Sequence, residues 1–95
     1  MLGEKIKALR EEKGLVQREL AAHLEVDTAF ISKVEKGEKR LSKSHVEILS
    51  KVFSTPKKEL VSLWLADKVI SVLSKEKNAE SAISLVQNHY KKNKK

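Results

Sequence analysis

Apolar residues recur at helical spacing along almost the whole chain, and no stretch alternates as a half-buried strand would. Leu2, Ile6 and Leu9 fall on one face of a first helix, which is expected to stop near Gly14, a natural residue for the position after a helix. Leu20, Ala21 and Leu24 form the face of a short second helix, and Ile31 and Val34 that of a third, ended by Gly37. Val46, Leu49, Val52 and Phe53 mark a fourth, and Ser44 with Glu47 has the spacing of a capping box at its start. Thr55-Pro56 opens a fifth, with Thr as cap and Pro at the first helical position. That helix is expected to run to about Ser74. After the polar stretch 74–77, Asn78 can cap a sixth that ends near Tyr90. The pattern predicts an all-α fold.

Composition narrows this further. With 95 residues, the chain has material for one small domain with a modest core. Cysteine is absent, which removes disulfides and thiolate metal sites. His23, His45 and His89 are scattered without zinc-ligand spacing, and there is neither a glycine-rich phosphate loop nor a nucleophile elbow. No enzyme activity, metal or cofactor is therefore expected. No apolar run approaches the roughly 18 residues of a membrane span, and the N-terminal segment lacks a signal-peptide core, so a soluble cytoplasmic protein is expected.

Charge changes the picture locally. The formal net charge is +7. Residues 1–55 carry eleven basic and nine acidic side chains, and residues 56–95 carry nine and four. Within 28–43, Lys33, Lys36, Lys39, Arg40 and Lys43 face only Glu35 and Glu38, a local surplus of +3. The lysines of the tail, Lys91, Lys92, Lys94 and Lys95, read as a solvated end.

Residues 17–37, QRELAAHLEVDTAFISKVEKG, have the pattern of two helices joined by a tight turn at Glu25-Val26-Asp27. Ala21 is small where the helices would cross, Val26 can plug the turn into the core, and Asp27 can cap the helix that follows. In a helix-turn-helix the second helix enters the major groove of DNA. On that reading Thr28, Ala29, Ser32 and Lys33 face the bases: Lys33 can donate to guanine, Thr28 and Ser32 can donate or accept, and methyls of Thr28 and Ala29 can meet thymine. The face lacks Arg, Asn and Gln, which points to moderate base discrimination and a share from DNA shape. Gln17, Arg18, Lys36, Lys39, Arg40 and Lys43 are the phosphate candidates. Phe30 either packs against the second helix near His23 or reaches the groove wall.

The same stretch resembles the Xre family, whose DNA-binding domain is like those of lambdoid phage Cro and repressor proteins. The residues that carry the resemblance are Arg10, Gly14, Leu15, Gln17, Leu20, Ala21, Leu24, Val26, Ile31, Ser32, Glu35 and Gly37, over roughly residues 2–65. It implies a five-helix domain, a homodimer on palindromic double-stranded DNA, transcriptional control in a bacterium or phage, and a structural ion pair between Arg10 and Glu35. Three positions depart from the family's pattern: Glu25 where Gly is usual, Val16 where a capping Ser, Thr or Asn is usual, and Leu41 near a frequent Pro.

Leu60, Val61, Leu63, Trp64, Leu65, Val69, Ile70, Val72 and Leu73 exceed one apolar stripe on the fifth helix. With Ala79, Ala82, Ile83, Val86 and Tyr90 on the sixth, they suggest a dimer interface built from Leu65, Val69, Val72, Ile83, Val86 and Tyr90. The expected organisation is a DNA-binding domain at 1–74, whose last helix (56–74) is shared with the interface, and a C-terminal helix with a basic tail at 75–95. Functions that fit are an autoregulating operator-binding regulator of the restriction–modification controller or Cro type, an antitoxin whose last helices grip a toxin, and a protein-interaction module on the same scaffold.

Overall fold

Helix starts and stops in this chain are set by a few local devices. The computed structural model describes residues 1–93 and contains, in order, α1 (Leu2–Glu12), α2 (Gln17–Leu24), α3 (Thr28–Glu35), α4 (Lys43–Val52), α5 (Lys57–Leu73) and α6 (Ala79–Lys92). No strand occurs among the described residues.

The first four helices end in the same way. A residue of positive φ follows each one: Gly14 (70°), Glu25 (57°), Gly37 (81°) and Ser54 (51°). The amide after each returns to the helix, Leu15 to the Arg10 carbonyl, Val26 to Ala21, Glu38 to Lys33 and Thr55 to Ser50, at 2.8–3.0 Å. These are Schellman stops, which satisfy carbonyls that the helical ladder leaves free. Two of the four are built on residues with a Cβ, for which the left-handed region is strained. Glu25 is exposed, so its side chain contributes no packing in return. Glu25→Gly is expected to stabilise the domain by about 0.5–1 kcal/mol, read as a rise in thermal midpoint by circular dichroism. An unchanged or lower midpoint would show that the turn carries no strain.

Helix starts differ from the sequence expectation at two places. The cap of α4 is Ser42, whose Oγ accepts from the His45 amide at 3.2 Å; Ser44 lies inside the first turn and Glu47 pairs with Lys57 at 3.5 Å. Starting at Lys43 lets α4 follow directly on the buried Leu41 while Val46, Leu49 and Phe53 still face the core. At α5, Pro56 itself is the cap, with extended ψ of 131°, and Lys57 is the first helical residue. Thr55 is held in the Schellman stop of α4, its hydroxyl donating to the Phe53 carbonyl, and so cannot cap the next helix. Asn78 stands at the start of α6 without a side-chain cap bond, and α6 runs past Tyr90 to Lys92.

The core is made where α2, α3 and α4 converge on α1 and the first half of α5. Ile6, Leu20, Ile31, Val46, Leu49, Phe53 and Leu60 are its largest buried side chains. Gly3 lets α1 approach the end of α3, since a Cβ there would collide with the Val34 carbonyl. Met1 gives α1 no side-chain cap. Asp67 of α5 supplies one from outside, accepting the Leu2 amide at 3.0 Å. α5 buries Leu60 and half-buries Val61, Leu63 and Trp64 against the core, and α6 buries no residue at all. Within the described residues no helix is long and apolar enough to cross a membrane. The tail residues Lys94 and Lys95 lie outside the described residues.

Candidate nucleic-acid interface

α3 is presented to solvent by what holds it from behind. Asp27 Oδ1 accepts the Phe30 amide at 2.8 Å and fixes the first turn. Ile31 and Val34 are buried beneath it. The turn before it is closed by Glu25, and Val26 packs against the core. The outward side then carries Thr28, Ala29 and Lys33, all exposed, and Ser32, half-buried. These four form one face. Phe30 does not stand against His23. Its half-buried ring meets His45 of α4 edge-on, with centroids 6.3 Å apart at 66°, because this side of α3 looks toward the first turn of α4.

The end of α3 is tied to α1 and α2 by an ionic cluster. Arg10 Nε donates to Glu35 Oε2 at 2.7 Å and Nη2 to Oε1 at 3.1 Å, while Nη1 donates to the Leu15 carbonyl at 2.8 Å. Gln17 Nε2 adds a bond to Glu35 Oε1 at 3.0 Å. The side chains of Arg10 and Glu35 are 11% and 3% exposed. The hydrogen bond to Glu35 raises the pKa of the Arg10 guanidinium above its ordinary value, against the opposing effect of burial. The stabilisation that this shift represents is lost only as pH rises past the unfolded arginine pKa and through the raised folded one, far above neutrality, so Arg10 stays charged in the working range. Geometrically, it sets the angle at which α3 leaves the core.

Around that face lies positive charge. Lys36, Lys39, Arg40 and Lys43 are exposed in or beside the loop between α3 and α4, and Arg18 is exposed on the first turn of α2. Val16 has no side-chain oxygen with which to cap α2; at this end Glu19 Oε1 accepts the Val16 amide at 2.9 Å. Gln17, half-buried, sits between this helix start and the ionic cluster, its amide engaged by Glu35 rather than free. The loop is pinned by Leu41, whose side chain is buried and whose carbonyl accepts Trp64 Nε1 at 2.8 Å. Sequence reading counted Trp64 only as one more apolar residue of the fifth helix. The signal that marks it is general: a tryptophan is apolar except for one N–H, and a buried one finds a partner.

A helix-turn-helix family model matches residues 6–60, more than half of the chain. The chain belongs to that family. No curated protein and no solved structure gives a significant match. Helix-turn-helix proteins of this Xre, lambda-repressor-like type are DNA-binding regulators, and the match spans α2 and α3, the Arg10–Glu35 cluster and the basic loop. It stops at Leu60, before the exposed part of α5 and all of α6. No group of three or more residues able to hold a metal ion occurs among the described residues.

The remaining sequence-singled residues lie on this C-terminal part. Leu65, Val69, Val72, Ile83, Val86 and Tyr90 are all exposed, Val72 as much as 75%. Val69, Val72, Ile83 and Val86 line a groove of about 310 Å³ between α5 and α6, together with Leu73, Ala82 and Gln87; Leu65 and Tyr90 stand outside that lining.

Proposed function

We propose that the protein is a homodimeric operator-binding regulator that acts at its own promoter, of the restriction–modification controller or Cro type. The observation that carries this is the exposed face Thr28, Ala29, Ser32 and Lys33 on a rigidly held α3, bordered by Lys36, Lys39, Arg40 and Lys43. In the major groove, that face reads base edges: Lys33 gives its ammonium to guanine, Thr28 and Ser32 give hydroxyls, and Ala29 offers a methyl to thymine. Arg18, Gln17 and the loop cations take phosphates on either side, positioning the helix without reading sequence. The amide hydrogen of Gln17 not used by Glu35 remains for such a contact. A second copy related by a two-fold axis through α5 and α6 places another α3 roughly 34 Å away, one turn of DNA along.

Fluorescence anisotropy with DNA from immediately upstream of the gene, beside a scrambled duplex and over a salt series, tests the reading. Tight binding to the upstream duplex alone is expected, with a salt slope of roughly 0.9 per phosphate contact. Lys33→Ala is expected to weaken operator binding by about tenfold while leaving scrambled DNA nearly unchanged, since one base contact is worth about 1–3 kcal/mol. Equal, weak binding to both duplexes would reject the operator reading. The unburied groove between α5 and α6 favours one other reading, an antitoxin that holds a toxin there, and a stable complex with the neighbouring gene's product would support it.

A further inference from the structure

The basic loop is held at one point by a residue outside the matched family region. Gly37 and Glu38 return their amides to α3, and Ser42 already belongs to the start of α4. Between them run Lys39, Arg40 and Leu41. Here α5 reaches across: the Trp64 indole N–H donates to the Leu41 carbonyl at 2.8 Å, over a separation of 23 residues. The Leu41 side chain is buried at the same place, so both sides of this peptide are anchored while Lys39 and Arg40 project outward. Lys68 Nζ lies 4.0 Å from the Trp64 ring centroid and covers one face of the indole. One turn further along α5, Asp67 accepts the Leu2 amide. The helix thus grips the loop with one side chain and α1 with the next.

We infer that Trp64 is a positioning residue for DNA-backbone contact: its indole N–H fixes the peptide of Leu41 and thereby the height at which Lys39 and Arg40 meet phosphate. This rests on the reading of the loop as part of the DNA interface. The physical basis is preorganisation. A loop already held in its binding geometry loses less conformational freedom on association than a free one. Removing the donor while keeping an aromatic ring leaves the charges in place but lets their backbone wander, so the loss falls on phosphate contacts and not on base reading by α3.

The test is a salt series on wild type, Trp64→Phe, the double variant Lys39→Ala/Arg40→Ala, and the triple combination, with upstream and scrambled duplexes. Trp64→Phe is expected to weaken operator binding about three- to tenfold, the scale of one lost hydrogen bond. Its salt slope is expected to fall by roughly one to two, at 0.9 per contact, while the ratio of operator to scrambled affinity holds. In the double-variant background the same change is expected to alter the slope no further. Should Trp64→Phe fail to fold, β-(3-benzothienyl)alanine at position 64 replaces the N–H by sulfur at nearly constant shape and is expected to give the same result. A wild-type slope in the variants at position 64, with a reduced slope in the double variant, overturns the inference and leaves the operator reading standing. An equal further fall in the triple combination also overturns it, since Trp64 would then act elsewhere. A double variant with the wild-type slope takes the loop off the DNA and removes the inference with it.

Discussion

Ile83→Glu is expected to turn the proposed dimer into monomers and to lower operator affinity at least about a hundredfold. Ile83 lies in the wall of the groove between α5 and α6, opposite Val69 and Val72 and beside Val86. A carboxylate there places an unpaired charge where the second copy would bury apolar surface, and a two-fold axis doubles the cost because each copy brings its own. The affinity follows from effective concentration. Two half-sites bound by one dimer gain about 10²–10⁴ over one half-site bound by a monomer. Sedimentation velocity gives the mass, and anisotropy on a full and a half operator gives the coupling. The expected signature is a monomer whose affinity for the half-site is that of the wild-type protein. The folded core should be untouched, since α6 buries no residue in it. A monomeric wild type, or a variant that dimerises normally, would reject this surface as the interface.

Arg10→Ala is expected to destabilise the domain by about 3–5 kcal/mol, the range for breaking a buried ion pair from one side. The reason is what stays behind. Glu35 is 3% exposed and would keep only the Gln17 amide as partner. The Leu15 carbonyl would lose its bond as well. In a domain of this size even the lower figure corresponds to a fall of at least about 12 °C in thermal midpoint. Arg10→Lys should recover only part of it, because an ammonium cannot serve both carboxylate oxygens and the carbonyl at once. Glu35→Gln should be milder than Arg10→Ala, since the acceptor for Gln17 remains and the charge left alone is the less buried of the two. A loss below about 1 kcal/mol for Arg10→Ala would place the pair with ordinary surface pairs.

Most of the scaffold was legible from spacing. Leu20, Ala21, Leu24, Ile31 and Val34 reach the core because a helix puts them on one face, and Gly14 and Gly37 stop helices because they tolerate positive φ. The failures are instructive. Ser42, not Ser44, caps α4: both are good caps, and the choice fell to the burial of Leu41, a tertiary fact that local chemistry does not hold. Pro56 shifted by one position because Thr55 was already committed to ending α4. Phe30 found His45 rather than His23, since the angle between α3 and α4 has no sequence signature. Of the candidate interface, the outward face of α3 follows from the turn and the period. The grip of Trp64 on the loop does not, because it joins residues 23 apart through a backbone carbonyl that sequence patterns do not see.

The unburied state of α6 would give the proposed dimer a dependence on its own abundance. A 14-residue helix with no buried side chain is marginal in water when alone. Its apolar stripe gains packing only when another surface arrives. If the proposed dimer forms through this surface, order in this segment, self-association and occupancy of two half-sites would rise together as the protein accumulates. Such a dimer would respond to its own concentration more steeply than in proportion, with a threshold set by how weakly α6 folds in isolation.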